Sequence, residues 1–359
     1  MIKLPSLPQG FTAEFLTMLL HEDGALPRSS RVASVGVEPF GVGTGLSSEL
    51  ARLTLAYEGT AREAPATVIA KFLPNNEANR ASALAFNLPE REVRYAADLD
   101  PLTEAITPKT FCAQLDGEQF LLLMEDLTDY TVGSQVEGAT LEQTQLAVDE
   151  LAKLHSAFWQ KVDHLDWIPG IADSYHADAL RGASPMAWDS AIERFDVPAH
   201  VADNKDRFVQ AIETLQHERM AAPLTLVHGD FRMENLLYGN QPQHHDVVVI
   251  DWQGPLKARG MFDVSLFLTQ STKIEVRQAH EKELLARYLD GLLSRGVTDI
   301  DLDWIWEDYK RCTLYDWVYT MVVAGTLDVS NELAHAWMSQ MIARHAQASH
   351  DHDVFSLLG

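Results

Sequence analysis

Along the first 125 residues the apolar positions come in short alternating runs. Arg31–Phe40, Glu49–Tyr57 and Thr67–Phe72 are β-branched or alternating stretches divided by Gly, Pro and polar turns, the pattern of half-buried strands. Two further strands are predicted at Thr110–Gln114 and Gln119–Met124, with Asp116-Gly117 as the hairpin turn between them. Helical spacing is sparse in this region. Residues 11–21 read as a short helix, Pro27 to Ser30 as a turn, and Pro89 to Leu99 as a helix with Glu90 and Glu92 in its first turn.

After Glu125-Asp126-Leu127 the period changes. Leu141 to Phe158 places Leu146, Leu151, Leu154 and Phe158 on one core-facing helical stripe. Most of the remainder reads as helix, interrupted by Leu224–Leu237 and a strand at Asp246–Asp251. Pro169 to Pro198 is rich in turn formers and reads as an insertion near an acceptor site. The expected fold class is α+β with two lobes. A strand-rich nucleotide-binding lobe spans residues 1–124, a hinge spans 125–128, and a larger helical lobe at 129–359 carries catalysis and the acceptor. Small molecules bind in clefts of such architectures.

Composition narrows the partners. With 359 residues, 46% hydrophobic and 22% charged, the chain has the balance of a folded globular protein. The 52 acidic residues outweigh 28 Lys and Arg, a net charge of −24 that disfavours nucleic acid and anionic membrane. The same charge is weakly compatible with a cationic substrate, although solubility is the better explanation. Cys112 and Cys312 stand alone, in no metal-ligand spacing, and read as reduced thiols. The start of the chain lacks the apolar stretch of a signal peptide, and the run from Trp317 to Gly325 is too short to span a bilayer. A cytoplasmic monomer or homodimer is the expectation.

Four groups of residues carry candidate chemistry, and together they match what phosphoryl transfer requires: a held triphosphate, neutralised charge and an aimed hydroxyl. The first is Asp230 with Asn235 five residues later. A carboxylate at Asp230 can orient an acceptor hydroxyl and take its proton, and the Asn235 oxygen is a hard ligand suited to Mg²⁺. Alone, a turn and a helix cap would explain this pair. The second is Asp251, delivered at the end of the apolar run Val247-Val248-Val249-Ile250, where a metal-binding carboxylate is expected. The third is the stretch from Gly41 to Glu49, with Gly41, Gly43, Gly45 and Ser47 as candidate phosphate contacts. No Walker lysine follows it, and a glycine-rich hairpin turn would look the same. The fourth is Lys71, inside the apolar strand Val68–Phe72, which can meet phosphate oxygens. Glu92 is favoured over Glu90 as the carboxylate that pairs with it.

At this point a resemblance can be named. The segment from Phe40 to about Leu268 resembles the aminoglycoside phosphotransferase and choline kinase superfamily, relatives of the protein kinases. His228-Gly229-Asp230 with Asn235 completes that superfamily's His-Gly-Asp-x-x-x-x-Asn signature. Gly45-Leu46-Ser47-Ser48-Glu49-Leu50, Leu122 to Leu127 and Ile250-Asp251-Trp252-Gln253 look most like its ecdysteroid-kinase-like branch. The resemblance implies ATP and Mg²⁺ as cofactors and the hydroxyl of a small molecule as acceptor. It implies Asp230 as the catalytic residue, Asn235 and Asp251 as Mg²⁺ ligands and Lys71 as the phosphate lysine. It also implies that backbone around Glu125, Asp126 and Leu127 binds adenine, and that His228 and Asp263 brace the catalytic loop. His155 has a counterpart there too, but reads as a core histidine.

Only twelve residues lead from Asp251 to Asp263, which leaves no room for the long activation segment of a protein kinase. The acceptor itself stays open. Asp316 and Trp317 are candidates to line its pocket, against ordinary core packing of the late aromatic residues. His244-His245 and the histidines at 345, 350 and 352 read as solvated, and Asp299, Asp301 and Asp303 as a helix start. The alternative from another class is a catalytically inactive, nucleotide-binding regulatory protein. The presence of Lys71, Asp230, Asn235 and Asp251 together argues against it.

Overall fold

The strand Thr67–Phe72 sets the layout of the N-terminal part. Its side chains alternate between two faces, so Val68, Ala70 and Phe72 share one face while Ile69 and Lys71 share the other. The computed structural model, which describes residues 4–5, 8–40, 48–61, 63–327 and 332–358, places this strand at the centre of an antiparallel sheet. The glycine-rich candidates Gly41, Gly43, Gly45 and Ser47 lie outside the described residues. The chain divides into two units. One holds the residues through Leu102, Thr107–Asp129 and Ile250–Gly254; the other holds Thr103–Ile106, Tyr130–Val249 and Pro255 onward.

In the first unit the strands are β1 (Arg31–Phe40), β2 (Glu49–Glu58), β3 (Thr67–Phe72), β4 (Thr110–Asp116) and β5 (Gln119–Glu125), ordered β1-β2-β3-β5-β4. Helix α1 (Ala13–Asp23) starts at a Thr12 cap, whose hydroxyl accepts from Phe15 N at 3.2 Å. Its Leu16, Leu19 and Leu20 join Val68, Ala70, Phe72, Leu121 and Leu123 in a core on one side of the sheet. The opposite face packs Phe120 and Leu122 with Val93 of α3 (Leu88–Arg94) and Ala83 of α2 (Glu77–Ala85). Register places Lys71 opposite Leu50 on β2 and Leu122 on β5. Its strand is therefore central, not an edge.

The second unit is mainly helical. Its elements are β6 (Thr131–Val132), α4 (Leu141–Phe158), α5 (Ser174–Arg194), α6 (Ala199–Ala202), α7 (Lys205–Arg219), β7 (Thr225–Val227), β8 (Leu236–Tyr238), β9 (Val247–Val249), β10 (Leu256–Ala258), α8 (Met261–Leu266), α9 (Ile274–Leu293), α10 (Leu302–Tyr315), α11 (Trp317–Thr326) and α12 (Glu332–Asp351). Strands β7 and β10 pair with each other, and β6, β8 and β9 form a small sheet. Helix α4 begins with a reciprocal capping box between Thr140 and Gln143. Asp301 caps α10 by accepting from Trp304 N at 2.8 Å, the helix start that the alternating aspartates suggested.

Two expectations are corrected here, and one open choice is resolved. Pro169 to Pro198 is not a turn-rich insertion: α5 fills most of it and continues through Pro185. Its buried positions Ala177, Leu180, Ser184, Ala187, Trp188 and Ala191 keep helical spacing, but mostly with small residues that give little apolar signal. The packing they permit is close, since a Cβ on Gly325 of α11 would meet the Ala187 carbonyl oxygen at 2.1 Å. The histidine-rich C-terminal stretch is not a solvated tail but α12, with His345 fully buried. Asp316 and Trp317 are fully buried as well. Trp317 stacks on His345 at 4.1 Å and donates to Ser349, while Asp316 accepts from Ser265, so both belong to the core.

Candidate active site

Lys71 is carried on the face of the sheet where β5 packs Phe120 and Leu122 against Val93 of α3, and this brings a cation beside an apolar layer. The cation is compensated on the spot. Its Nζ donates to Glu92 Oε1 at 2.6 Å and to Asp251 Oδ1 at 2.7 Å, with the Lys71 and Glu92 side chains each under a tenth exposed. Glu90 turns elsewhere, to Asn87 and Arg94. Burial acts to lower the lysine pKa, but the Asp251 and Glu92 carboxylates outweigh it and hold the ammonium above its ordinary value. Glu92 is pushed up to about 7 by burial, which exceeds the pull of Lys71, with repulsion from Asp251 adding to the rise.

Asp251 sits just past β9 with φ of +68°, in the left-handed region that side chains rarely adopt. Its second oxygen accepts from Gln253 Nε2 at 3.3 Å. The neighbouring Trp252 stacks on Tyr95 with ring centroids 3.8 Å apart and planes within 5°, both rings buried. The stack and the ion pair together fasten the short segment Ile250–Gly254 within the first unit. Tyr95 was missed by sequence reasoning, because nothing in its spacing distinguishes it from a core aromatic. At the end of β5, Glu125 is exposed and Leu127 buried. Burial would raise the Asp126 carboxyl, but Thr128, Thr67 and Arg52 donors hold it below the usual range, with Arg52 Nε at 2.6 Å.

In the second unit, the loop after β7 carries His228, Gly229 and Asp230. Gly229 has φ of +84°, a turn that a Cβ would strain. The loop is held from below by Asp263 of α8, which is fully buried. Its carboxylate accepts from His228 N at 2.6 Å and Gly229 N at 3.0 Å, and lies 3.3 Å from His155 Nε2. His155 in turn meets the Tyr288 hydroxyl at 2.8 Å. His228 turns its Nδ1 back to accept from Asp230 N at 3.2 Å. Sequence reasoning identified His155, His228 and Asp263, but not Tyr288, which joins them only through the packing of α4 on α9.

Above this brace the Asp230 side chain is 44% exposed. Asn235 is buried, and its Nδ2 donates to the Asp230 carbonyl at 2.8 Å and to Asp230 Oδ2 at 3.1 Å. With the amide nitrogen engaged in this way, Asn235 Oδ1 is the atom left to face a cation. Arg232, not singled out by its sequence, places Nε 3.1 Å from Asp230 Oδ1. Among the described residues no group of histidine, thiol and carboxylate side chains forms a metal cage by itself.

A search among curated proteins returns no match. The model of the ecdysteroid kinase-like family matches residues 42–165 and 171–296. Similar solved structures include the choline kinase of Cryptosporidium parvum Iowa II, at 12% identity over 96% of this chain and 98% of that one, with a TM-score of 0.57. A GDP complex of an aminoglycoside 2'-phosphotransferase-IIIa variant shares 12% identity over 94% and 98%, with a TM-score of 0.56. A microcompartment-associated aminopropanol kinase shares 14% over 89% and 93%, at 0.54. At such identities the likeness is one of fold: bilobal and α+β, with a small strand-rich lobe and a larger helical one. The family model covers well over half of the sequence, and the chain belongs to the ecdysteroid kinase-like family.

Proposed function

We propose that this protein is a phosphotransferase that moves the γ-phosphate of ATP, with Mg²⁺, onto a hydroxyl of a small molecule. The observation that carries the reading is Lys71, a buried ammonium held charged and oriented by Glu92 and Asp251. A structural ion pair needs one carboxylate. A lysine that must stay cationic while it contacts phosphate oxygens gains from two. Family membership and the kinase-like fold support the same reading.

Each residue then has a stated part. Asp230 orients the acceptor hydroxyl and takes its proton as the oxygen attacks the γ-phosphorus. The bond to the β–γ bridging oxygen breaks, and ADP leaves beside a phosphomonoester. Asn235 and Asp251 are the oxygen ligands for Mg²⁺, which when bound neutralises triphosphate charge. Lys71, positioned by Glu92, meets the phosphates. Gly41, Gly43, Gly45 and Ser47 cover them, and the backbone from Glu125 through Asp126 to Leu127 holds adenine. Residues 1–124 serve as the nucleotide lobe, 125–128 as hinge and 129–359 as the catalytic and acceptor lobe.

The test is ADP release over a panel of sterols, amines, choline and aminoglycosides, with and without Mg²⁺. Asp230→Ala is expected to lower turnover by ~10²–10⁴ while ATP still binds. Unchanged turnover in that variant removes Asp230 from the mechanism. ATP binding with no Mg²⁺-dependent transfer across the panel would instead make the protein a nucleotide-binding regulator.

A further inference from the structure

Arg232 stands two residues beyond Asp230, and three groups hold it. Its Nε lies 3.1 Å from Asp230 Oδ1 and 3.3 Å from Oδ2, and its Nη1 lies 3.3 Å from Glu234 Oε2. Its guanidinium carbon sits 5.4 Å from the ring centroid of Trp337 on α12. Glu234 is itself fixed, because its other oxygen accepts from Gln135 N at 2.9 Å. Gln135 is 1% exposed, and its side chain donates to the Gln270 carbonyl at 2.8 Å and accepts from Ser271 Oγ at 2.9 Å. The arginine is thus anchored to a buried hub, although its own side chain is one-third exposed.

The consequence falls on Asp230. Asn235 Nδ2 donates to Oδ2 and Arg232 Nε to Oδ1, so each carboxylate oxygen already accepts one charge-assisted or amide hydrogen bond that an arriving hydroxyl must compete with. Contacts of 3.1 Å are long for charge-assisted hydrogen bonds and can be displaced. An acceptor brings binding energy from the rest of its structure to displace the arginine. Water brings none.

Resting on the phosphotransfer reading above, we propose that Arg232 is a positioning residue that occupies Asp230 between turnovers and so discriminates an acceptor hydroxyl from water. The reaction it suppresses is hydrolysis. There the water oxygen would attack the γ-phosphorus, Asp230 would take the proton, and ADP and inorganic phosphate would leave.

Phosphate release from MgATP without any acceptor tests this on the full chain. Arg232→Gln is expected to raise the rate about two- to fivefold, the factor that a part-exposed ion pair represents. Arg232→Lys should show most of that rise, since an ammonium cannot reach Asp230 and Glu234 in one fork. Glu234→Gln, which loosens only the outer anchor, should show a smaller rise. Adding Asp230→Ala to Arg232→Gln should abolish the gain. The proposal is overturned if release is unchanged or lower in Arg232→Gln, if Arg232→Lys behaves as the parent, or if the gain survives loss of Asp230. Failure of the kinase reading looks different: no MgATP turnover in any protein, with or without the acceptor panel, and the proposal falls with it.

Discussion

Two buried charged clusters in this protein are built on opposite principles. Around Lys71 one cation is matched by two carboxylates, Glu92 and Asp251. Around Asp263 one carboxylate is matched by neutral donors, the backbone N–H groups of His228 and Gly229, with the His155 ring beside them. Opposite charges attract over distance but tolerate small displacements. Hydrogen bonds to backbone fix position within a fraction of an ångström. The first arrangement suits a group that must keep its charge in front of a charged ligand, the second a loop that must keep its shape.

The comparison breaks most visibly at Asp263. Asp263→Ala would leave one buried and one part-buried N–H donor without an acceptor, and is expected to cost about 3–5 kcal/mol in urea unfolding. A loss below about 1 kcal/mol would mean that the loop does not depend on this brace.

Lys71→Met should cost less, about 2–4 kcal/mol near pH 8, and the cost should be pH-dependent. The sign follows from Glu92, whose folded carboxyl is raised to about 7 from an ordinary 4.5. The folded state holds that proton more tightly than the unfolded one, so its contribution is present at low pH and lost as pH rises through 7. Removing the lysine takes away the pull that lowers Glu92, so the variant's carboxyl rises further and its deficit should shrink as pH falls from 8 to 6. A pH-independent deficit would show that Glu92 does not take the proton.

His345 extends the neutral-partner side of the comparison with a smaller effect. Its ring lies between the Thr313 carbonyl at 2.7 Å and the Thr320 hydroxyl at 2.8 Å, and burial lowers its pKa to about 3. Unfolded chains take up that proton near 6.5, so stability is lost as pH falls from there towards 3. Relative to His345→Gln, the parent should lose about 1–2 kcal/mol between pH 7 and pH 5. Parallel stability curves for the two proteins would remove His345 as the cause.

Where the pattern was strong, the sequence could be read directly. Alternation located β1 to β5 because each strand has a core on one face at least, and the period of α4 was visible because its stripe is made of large residues. Helix α5 was hidden because its buried stripe is mostly Ala and Ser, whose pattern reads as turns until α11 is packed against it. His345 and Trp317 were hidden for a related reason, since polarity or size alone does not say which side of α12 or α11 meets the core.

The sequence by itself determined the candidate residues that lie together in one motif: Asp230 with Asn235, and Asp251 behind its apolar run. It also determined the family, because spacing within a loop survives without knowledge of the fold. Tertiary structure decided the partners drawn from distant segments. It turned Glu92 rather than Glu90 to Lys71, laid Trp252 on Tyr95, and set Tyr288 behind His155. Those choices depend on which face of α3 meets the sheet and which face of α4 meets α9. Burial energy summed over the whole core selects those faces, and no short stretch of sequence carries it.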